Sequence, residues 1–280
     1  MRRDFCRGPC RNPHHGLCRD CGPATPGSTM PARVRAASWP GWTSRPMKAL
    51  MRWLALLVLA LAALQLFFAL RIAAMAVIDP ESSTFQRSEA WAQIAGTGRL
   101  RWRQQWVPYA ELSEPLKRAV IAAEDDGFVL HDGVQWNAIG QAWERNAKAA
   151  RQAHSRAPGI RGGSTITQQL AKNLLLSGER SMLRKGQELL LALLLEQLLS
   201  KRRILEIYLN SVEWGEGVFG AQAAAQHYFG KSARQLTPAE AARLAVMLPA
   251  PKRFEKAPAS AYLARRTRAI VARMDSAQLP

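Results

Sequence analysis

Three groups of residues in this 280-residue chain have types and spacings suited to chemistry. Glu124 stands beside Asp125 and Asp126. Clustered carboxylates repel one another, which raises at least one pKa and suits a general base. Glu188 interrupts an otherwise apolar run, with Arg184 and Lys185 four and three residues before it, on the same helical face. A carboxylate buried there needs such partners. Between the two acids, Gly162-Gly163-Ser164-Thr165-Ile166-Thr167-Gln168-Gln169-Leu170-Ala171-Lys172-Asn173 reads as a glycine turn leading into a helix. Its Thr165, Gln169 and Lys172 form one stripe near a helix N-terminus, where anions are favoured. Two acids and a cation cluster suit attack by a hydroxyl on a phosphate-activated sugar. One carboxylate takes the proton, and Lys172, Arg184 and Lys185 stabilise the departing phosphate. The same residues also fit a solvated acidic helix end, a core ion pair and a capped surface helix, and their types leave those alternatives open.

The elements that must position these residues are helices. Ser164 is the expected N-cap of the central stretch, with Ile166, Leu170 and Leu174 as its core face. Ser113-Glu114-Pro115 predicts a helix start, with Leu116, Val120 and Ile121 buried and an end near Glu124. A helical pattern covers about Val134 to Arg151, and Gln152 to Arg161 reads as a loop. Ser177-Gly178 reads as a helix stop, followed by an apolar core helix from Met182 to Leu199. Ser200 caps a helix through Asn210, a glycine loop follows, and Val218 to Phe229 reads as a small-residue helix. Thr237-Pro238-Ala239-Glu240 is a capping box whose helix stops before Pro249, and a last amphipathic helix spans about Ala259 to Met274. The C-terminal two thirds shows no strand run, so the domain is expected to be all-α.

Charge and hydropathy bound the setting. The net charge is +18, of which residues 1–52 supply +8, so the remainder is itself basic and implies an anionic partner. Residues 1–46 hold all four cysteines (Cys6, Cys10, Cys18 and Cys21) but no apolar periodicity. They are expected to be a disordered basic tail, or to precede the true start at Met47. From Trp53 to Leu70 the chain is apolar except for Gln65, and Ile72 to Ile78 extend the run. That is enough for one transmembrane anchor over residues 53–78. Its basic flank is N-terminal, which places that side in the cytoplasm and the rest outside. A membrane anchor makes nucleic acid the weakest anionic partner. Residues 79–110 read as an irregular or weakly stranded connector carrying Trp91, Trp102, Trp106 and Tyr109, and the main domain as residues 111–275.

Taken together and in order, the motifs resemble those of the peptidoglycan glycosyltransferases, family 51, the transglycosylase domain of penicillin-binding proteins. Glu124-Asp125-x-x-Phe128-x-x-His131-x-Gly133 is similar to their first motif, Gly162 to Asn173 to their second, and Arg184-Lys185-x-x-Glu188 to their third. Ile204-Leu205-Glu206-x-Tyr208-Leu209-Asn210 with Tyr228-Phe229-Gly230-Lys231 is similar to the fourth. Glu240-Ala241-Ala242-x-Leu244-Ala245 with Leu248-Pro249-Ala250-Pro251 is similar to the fifth. The resemblance implies a mainly α, lysozyme-like fold with a small membrane-facing lobe, here about residues 134–161. It implies polymerisation of lipid-linked disaccharide-pentapeptide (lipid II) into glycan at the outer face of the cytoplasmic membrane. Glu124 would activate the acceptor hydroxyl. Glu188 would act on the pyrophosphate side, directly or through a divalent cation (Mg or Mn), with no organic cofactor. Lys172, Arg184 and Lys185 would bind pyrophosphate alongside Ser164, while Thr165, Gln169, Asp125, Phe128 and His131 would shape the site. The implied partners are lipid II, the growing lipid-linked glycan and membrane lipids, with transpeptidases and division proteins as further partner classes and no nucleic acid.

Many such proteins also carry a transpeptidase domain, which needs Ser-x-x-Lys and Lys-Thr-Gly. Neither occurs here, so a monofunctional type is expected. The competing classes are a lysozyme-like lytic transglycosylase or hydrolase and a non-catalytic membrane-anchored scaffold for wall synthesis. A lytic enzyme needs no pyrophosphate-binding cations, and a scaffold needs no paired acids.

Overall fold

The computed structural model describes residues 45–136, 140, 144, 164–176 and 181–280. The cysteine-bearing tail, most of the Val134 to Arg151 helix, the loop to Arg161, Gly162-Gly163 and the Ser177-Gly178 stop lie outside the described residues. Contacts divide the chain into two units, Met1–Trp53 and Leu54–Pro280. Of the first, only the opening turns of helix α1 are described.

Helix α1 (Arg45–Ala74) carries the apolar run, and its segment Met47–Ala74 is long and apolar enough to cross a membrane. It stops four residues short of the expected Ile78: Ile72 and Met75 are buried against the domain, and the chain turns over Met75–Ile78. Arg203 holds that turn, donating to the carbonyl oxygens of Met75 (2.8 Å) and Ile78 (3.2 Å) and to Asp79 (2.7 Å).

The expected connector is helical for half its length. Helix α2 (Thr84–Thr97) starts in a capping box in which Ser83 accepts from Gln86 N–H and the Gln86 side chain accepts from Ser83 N–H. It ends at Gly98, which is left-handed (φ 64°). Its weak apolar periodicity hid it: its one fully buried side chain is Gln86, which donates to Ser211 O at 3.0 Å.

Helix α3 (Glu114–Glu124) is capped by Ser113 and ends on Glu124, as the sequence indicates. Helix α4 (Ile166–Leu175) is short and buries Ile166, Leu170 and Leu174. Helix α5 (Met182–Leu198) packs on α4 through Leu191, Ala192 and Leu195. Its other face is open, with Leu183, Leu190 and Leu198 exposed. Helix α6 (Lys201–Ser211) follows its Ser200 cap.

Strands replace the first turn of the expected Val218 to Phe229 helix. Strand β1 (Arg103–Gln104) runs parallel to β3 (Val218–Phe219), which is antiparallel to β2 (Glu213–Gly215). All three are too short to show an alternating pattern. Gly217 (φ 71°) makes the β2–β3 turn, and a Cβ there would lie 2.1 Å from Arg101 O. Helix α7 (Ala221–Phe229) then begins after Gly220.

Helix α8 (Pro238–Met247) opens with the expected Thr237 capping box and packs closely on α3. Small residues permit the approach: Ala241, Ala242 and Ala245 of α8 and Ala119 and Ala122 of α3 are all buried in the core. Pro251 starts a short helix α9 (Pro251–Glu255), and α10 (Ala261–Val271) covers α3 and α8. Apart from the small sheet, the described chain is mainly α, as expected.

Candidate active site

The C-terminus of α3, the N-terminus of α4 and the end of α10 enclose a cleft of about 620 Å³. Glu124, Asp125, Ser164, Thr165 and Gln169 line it together with Gln135, Pro249, Arg266 and Arg273. Glu124 is half-buried on the wall. Gln169 Nε2 donates to its Oε2 at 2.8 Å, and Tyr208 O–H donates to Gln169 Oε1 at 3.0 Å. Burial raises the Glu124 pKa above the ordinary glutamate value, the Gln169 hydrogen bond partly offsets it, Asp125 raises it further and Lys172 lowers it. Burial, rather than the neighbouring carboxylate, is therefore the leading cause.

Asp125 is buried and committed to structure. Its Oδ1 accepts from His131 Nε2 (2.9 Å) and Gln135 Nε2 (2.8 Å), and its Oδ2 accepts from Ile166 N–H (3.0 Å). Gly133 N–H donates to His131 Nδ1 at 3.1 Å, which fixes the tautomer with the proton on Nε2. Gly133 has φ 78°, and a Cβ there would lie 2.8 Å from Glu196 Cγ. Phe128 is fully buried outside the cleft, with Lys201 Nζ 4.6 Å from its ring centre. Asp125, Phe128 and His131 thus brace the backbone around Glu124.

The N-cap assignment at α4 is corrected. Thr165, not Ser164, caps the helix and accepts from Gln168 N–H at 3.2 Å. Its hydroxyl also donates to Gly133 O at 2.6 Å, so it is spent on the fold. Ser164, one residue earlier, is left to line the cleft. The two residues are equally good caps, and the choice depends on where the Gly133 carbonyl sits.

The third motif does not line this cleft. Glu188 is buried on α5, where Lys185 Nζ donates to Oε1 at 2.5 Å and Arg184 Nη1 to Oε2 at 3.4 Å. Arg184 Nε is buried without a hydrogen-bond partner among the described residues. Lys172 is exposed on α4 and acts electrostatically on Glu124, and α4 itself packs on α5, which carries Glu188. No group of three His, Cys, Asp or Glu side chains that could hold a metal occurs among the described residues. Both Glu188 oxygens face cations, which would repel a divalent ion. This donor set does not fit a metal site of the protein's own.

Arg266 and Arg273 were missed by the sequence reading. They sit among several arginines near α10, and nothing in their spacing separates a cleft-facing guanidinium from a solvated one. Arg273 donates to Ala122 O at 2.5 Å, which ties the C-terminal segment to α3.

A family model described as Transglycosylase matches residues 92–275. The chain belongs to the transglycosylase family. That family has the lysozyme-like, mainly α fold seen in the described elements. The match begins at residue 92, within α2. Curated relatives named biosynthetic peptidoglycan transglycosylase are similar over most of their length. The one from Paraburkholderia xenovorans (strain LB400) is 50% identical over 82% of this chain and 95% of its own. That from Herminiimonas arsenicoxydans is 47% identical over 84% and 99%. That from Cupriavidus metallidurans (strain ATCC 43123 / DSM 2839 / NBRC 102507 / CH34) is 51% identical over 82% and 100%.

Proposed function

We propose that this transglycosylase polymerises lipid-linked disaccharide-pentapeptide into glycan strands during bacterial cell wall synthesis. The observation that carries the reading is Glu124: a carboxylate on the wall of a 620 Å³ cleft, oriented by Gln169 and within reach of the Lys172 charge. Glu124 takes the proton of the acceptor sugar's 4-hydroxyl. The hydroxyl oxygen attacks the anomeric carbon of the donor, the bond from that carbon to diphosphate oxygen breaks, and polyprenyl diphosphate leaves. Lys172, Arg184 and Lys185 receive the departing negative charge. Glu188 holds the latter two cations in place, and no step runs through a metal ion. Arg266 and Arg273 add positive charge to the cleft lining, which a hydrolase acting on uncharged glycosidic bonds would not need.

The α1 anchor supports a single-pass arrangement in the cytoplasmic membrane. The N-terminal basic flank favours a cytoplasmic N-terminus and a domain outside, where the lipid-linked substrate is used. Transpeptidases that cross-link the emerging glycan are the partner class this chemistry calls for. Full-length protein incubated with labelled lipid-linked precursor should produce polymer. Cleavage of preformed glycan, or no turnover, would reject the reading.

A further inference from the structure

Helix α1 meets the domain along one stripe. Its residues 47–64 are all exposed, and Gln65 is the first to turn inward. Gln65, Phe68, Ile72 and Met75 follow at steps of three or four, the spacing of one helical face. Ile72 and Met75 are buried in the core, and Phe68 packs half-buried against it. Gln65 is also the one polar residue between Trp53 and Leu70. A glutamine in such a run is costly unless it has a partner.

The partner is specific. Gln65 Nε2 donates to Gln187 Oε1 at 3.0 Å, and Gln187 Nε2 donates back to Gln65 Oε1 at 3.4 Å. Gln187 is on α5, immediately before Glu188 and three residues after Arg184. On the same face of α5 stand Leu183 and Leu190, which are 88% and 42% exposed. Gln187 is thus a polar residue in an open apolar stripe, and Gln65 satisfies it. Among the described residues this pair is the one side-chain hydrogen-bonded link between α1 and α5. At the other end of the α1 stripe, Arg203 donates to Met75 O at 2.8 Å. Two fixed points on one face hold α1 against rotation about its axis.

Depth follows from length. Gln65 lies twelve residues past Trp53, about 18 Å along the helix and so in the outer half of a hydrocarbon core about 30 Å thick. Its bond to Gln187 draws the start of α5 to the outer leaflet. A lipid-linked diphosphate sits at the head-group level of that leaflet.

We propose that Gln65 is a positioning residue for the donor: through Gln187 it sets the depth and rotation of α5, and thereby holds Arg184 and Lys185 at the level of a membrane-borne diphosphate. The inference rests on the polymerase reading above and adds a residue to its donor side. Glu188 pairs with both cations and is adjacent to Gln187, so a turn of α5 moves all three together.

Full-length protein in phospholipid nanodiscs tests this with two probes, a polyprenyl diphosphate in the bilayer and inorganic diphosphate in solution. Gln65→Leu should bind polyprenyl diphosphate about three- to tenfold more weakly, the range of one interhelical hydrogen bond in a membrane. Binding of inorganic diphosphate, which reaches the cations from water at any depth, should be unchanged. Gln187→Leu should behave alike, and the double variant should be no weaker than either single, since all three lose the same link. In polymerisation, KM for the lipid-linked donor should rise by the same factor while kcat holds. Unchanged polyprenyl diphosphate binding in Gln65→Leu would overturn the proposal. So would an equal loss for inorganic diphosphate, which marks general damage to the cation site, or additive losses in the double variant, which mark two independent packing contacts. A selective loss of polyprenyl diphosphate affinity in a protein that never polymerises would keep the positioning role and reject the polymerase reading.

Discussion

Gln169 Nε2 donates to Glu124 Oε2 at 2.8 Å and so couples the last residue of α3 to the middle of α4. The bond orients the carboxylate and stabilises its charged form, against burial, which raises its pKa. A general base works only when ionised. Activity should therefore fall as pH drops through a pKa above the ordinary glutamate value. In Gln169→Leu the charged form loses its donor, so the acidic limb of kcat/KM should move to higher pH. A pH–rate profile with the limb unmoved would mean that this hydrogen bond does not tune the base.

Lys172→Met should act in two ways at once. Lys172 lowers the Glu124 pKa, so its loss should also shift the acidic limb upward. A charge-assisted contact to diphosphate should disappear too, raising KM by about tenfold or more. Steady-state kinetics at several pH values separate the two effects.

Much of this was legible because short-range chemistry leaves marks in sequence. Ser113, Ser200 and Thr237 cap their helices as read, since a cap needs only its own first turn. Glu188 with Arg184 and Lys185 is an i, i+4 and i, i+3 arrangement that helix geometry alone brings together. The misses are long-range. The choice of Thr165 over Ser164 depends on the Gly133 carbonyl, 32 residues away. Helix α2 buries a glutamine, and β1 and β3 are two-residue strands that exist only through pairing within the small sheet. Arg266 and Arg273 become cleft residues only because α10 folds back over α3.

Tyr208→Phe tests the support behind Gln169. Tyr208 is fully buried, and its hydroxyl donates to Gln169 Oε1 at 3.0 Å. Without it the amide can rotate and present its oxygen to Glu124. The turnover rate should fall roughly tenfold while substrate affinity holds, the scale expected when one neutral hydrogen bond that positions a group is lost. A kcat equal to wild type would reduce Tyr208 to packing.

Glu188→Gln should lower activity by releasing Arg184 and Lys185, and should leave the divalent-metal dependence as it is in wild type. The substitution removes the buried charge itself and leaves cations that reach solvent, so its stability cost should stay below that of stranding a buried charge, and thermal unfolding should be measured beside the rate. A changed metal profile in this variant would restore a metal role for the carboxylate.

Glu213 makes a stability prediction far from the chemistry. Burial pushes its pKa up to about 7, with Lys252 opposing and Glu89 adding to the rise. The folded state then binds more protons than the unfolded state between the ordinary glutamate value and pH 7. Stability from this group is present at low pH and is lost as pH rises through about 7. Glu213→Gln should flatten the fall in Tm between pH 5 and 8, and an equally steep fall would place its cause elsewhere.

The central claim is that Glu124 is the base, and one variant tests it directly. Glu124→Gln keeps the shape of the side chain and removes its proton affinity. Initial rates on labelled lipid-linked precursor should drop by about 10²–10⁴, the usual worth of a general base, while direct substrate binding stays within a few-fold of wild type. Near-wild-type polymerisation by Glu124→Gln would contradict the account.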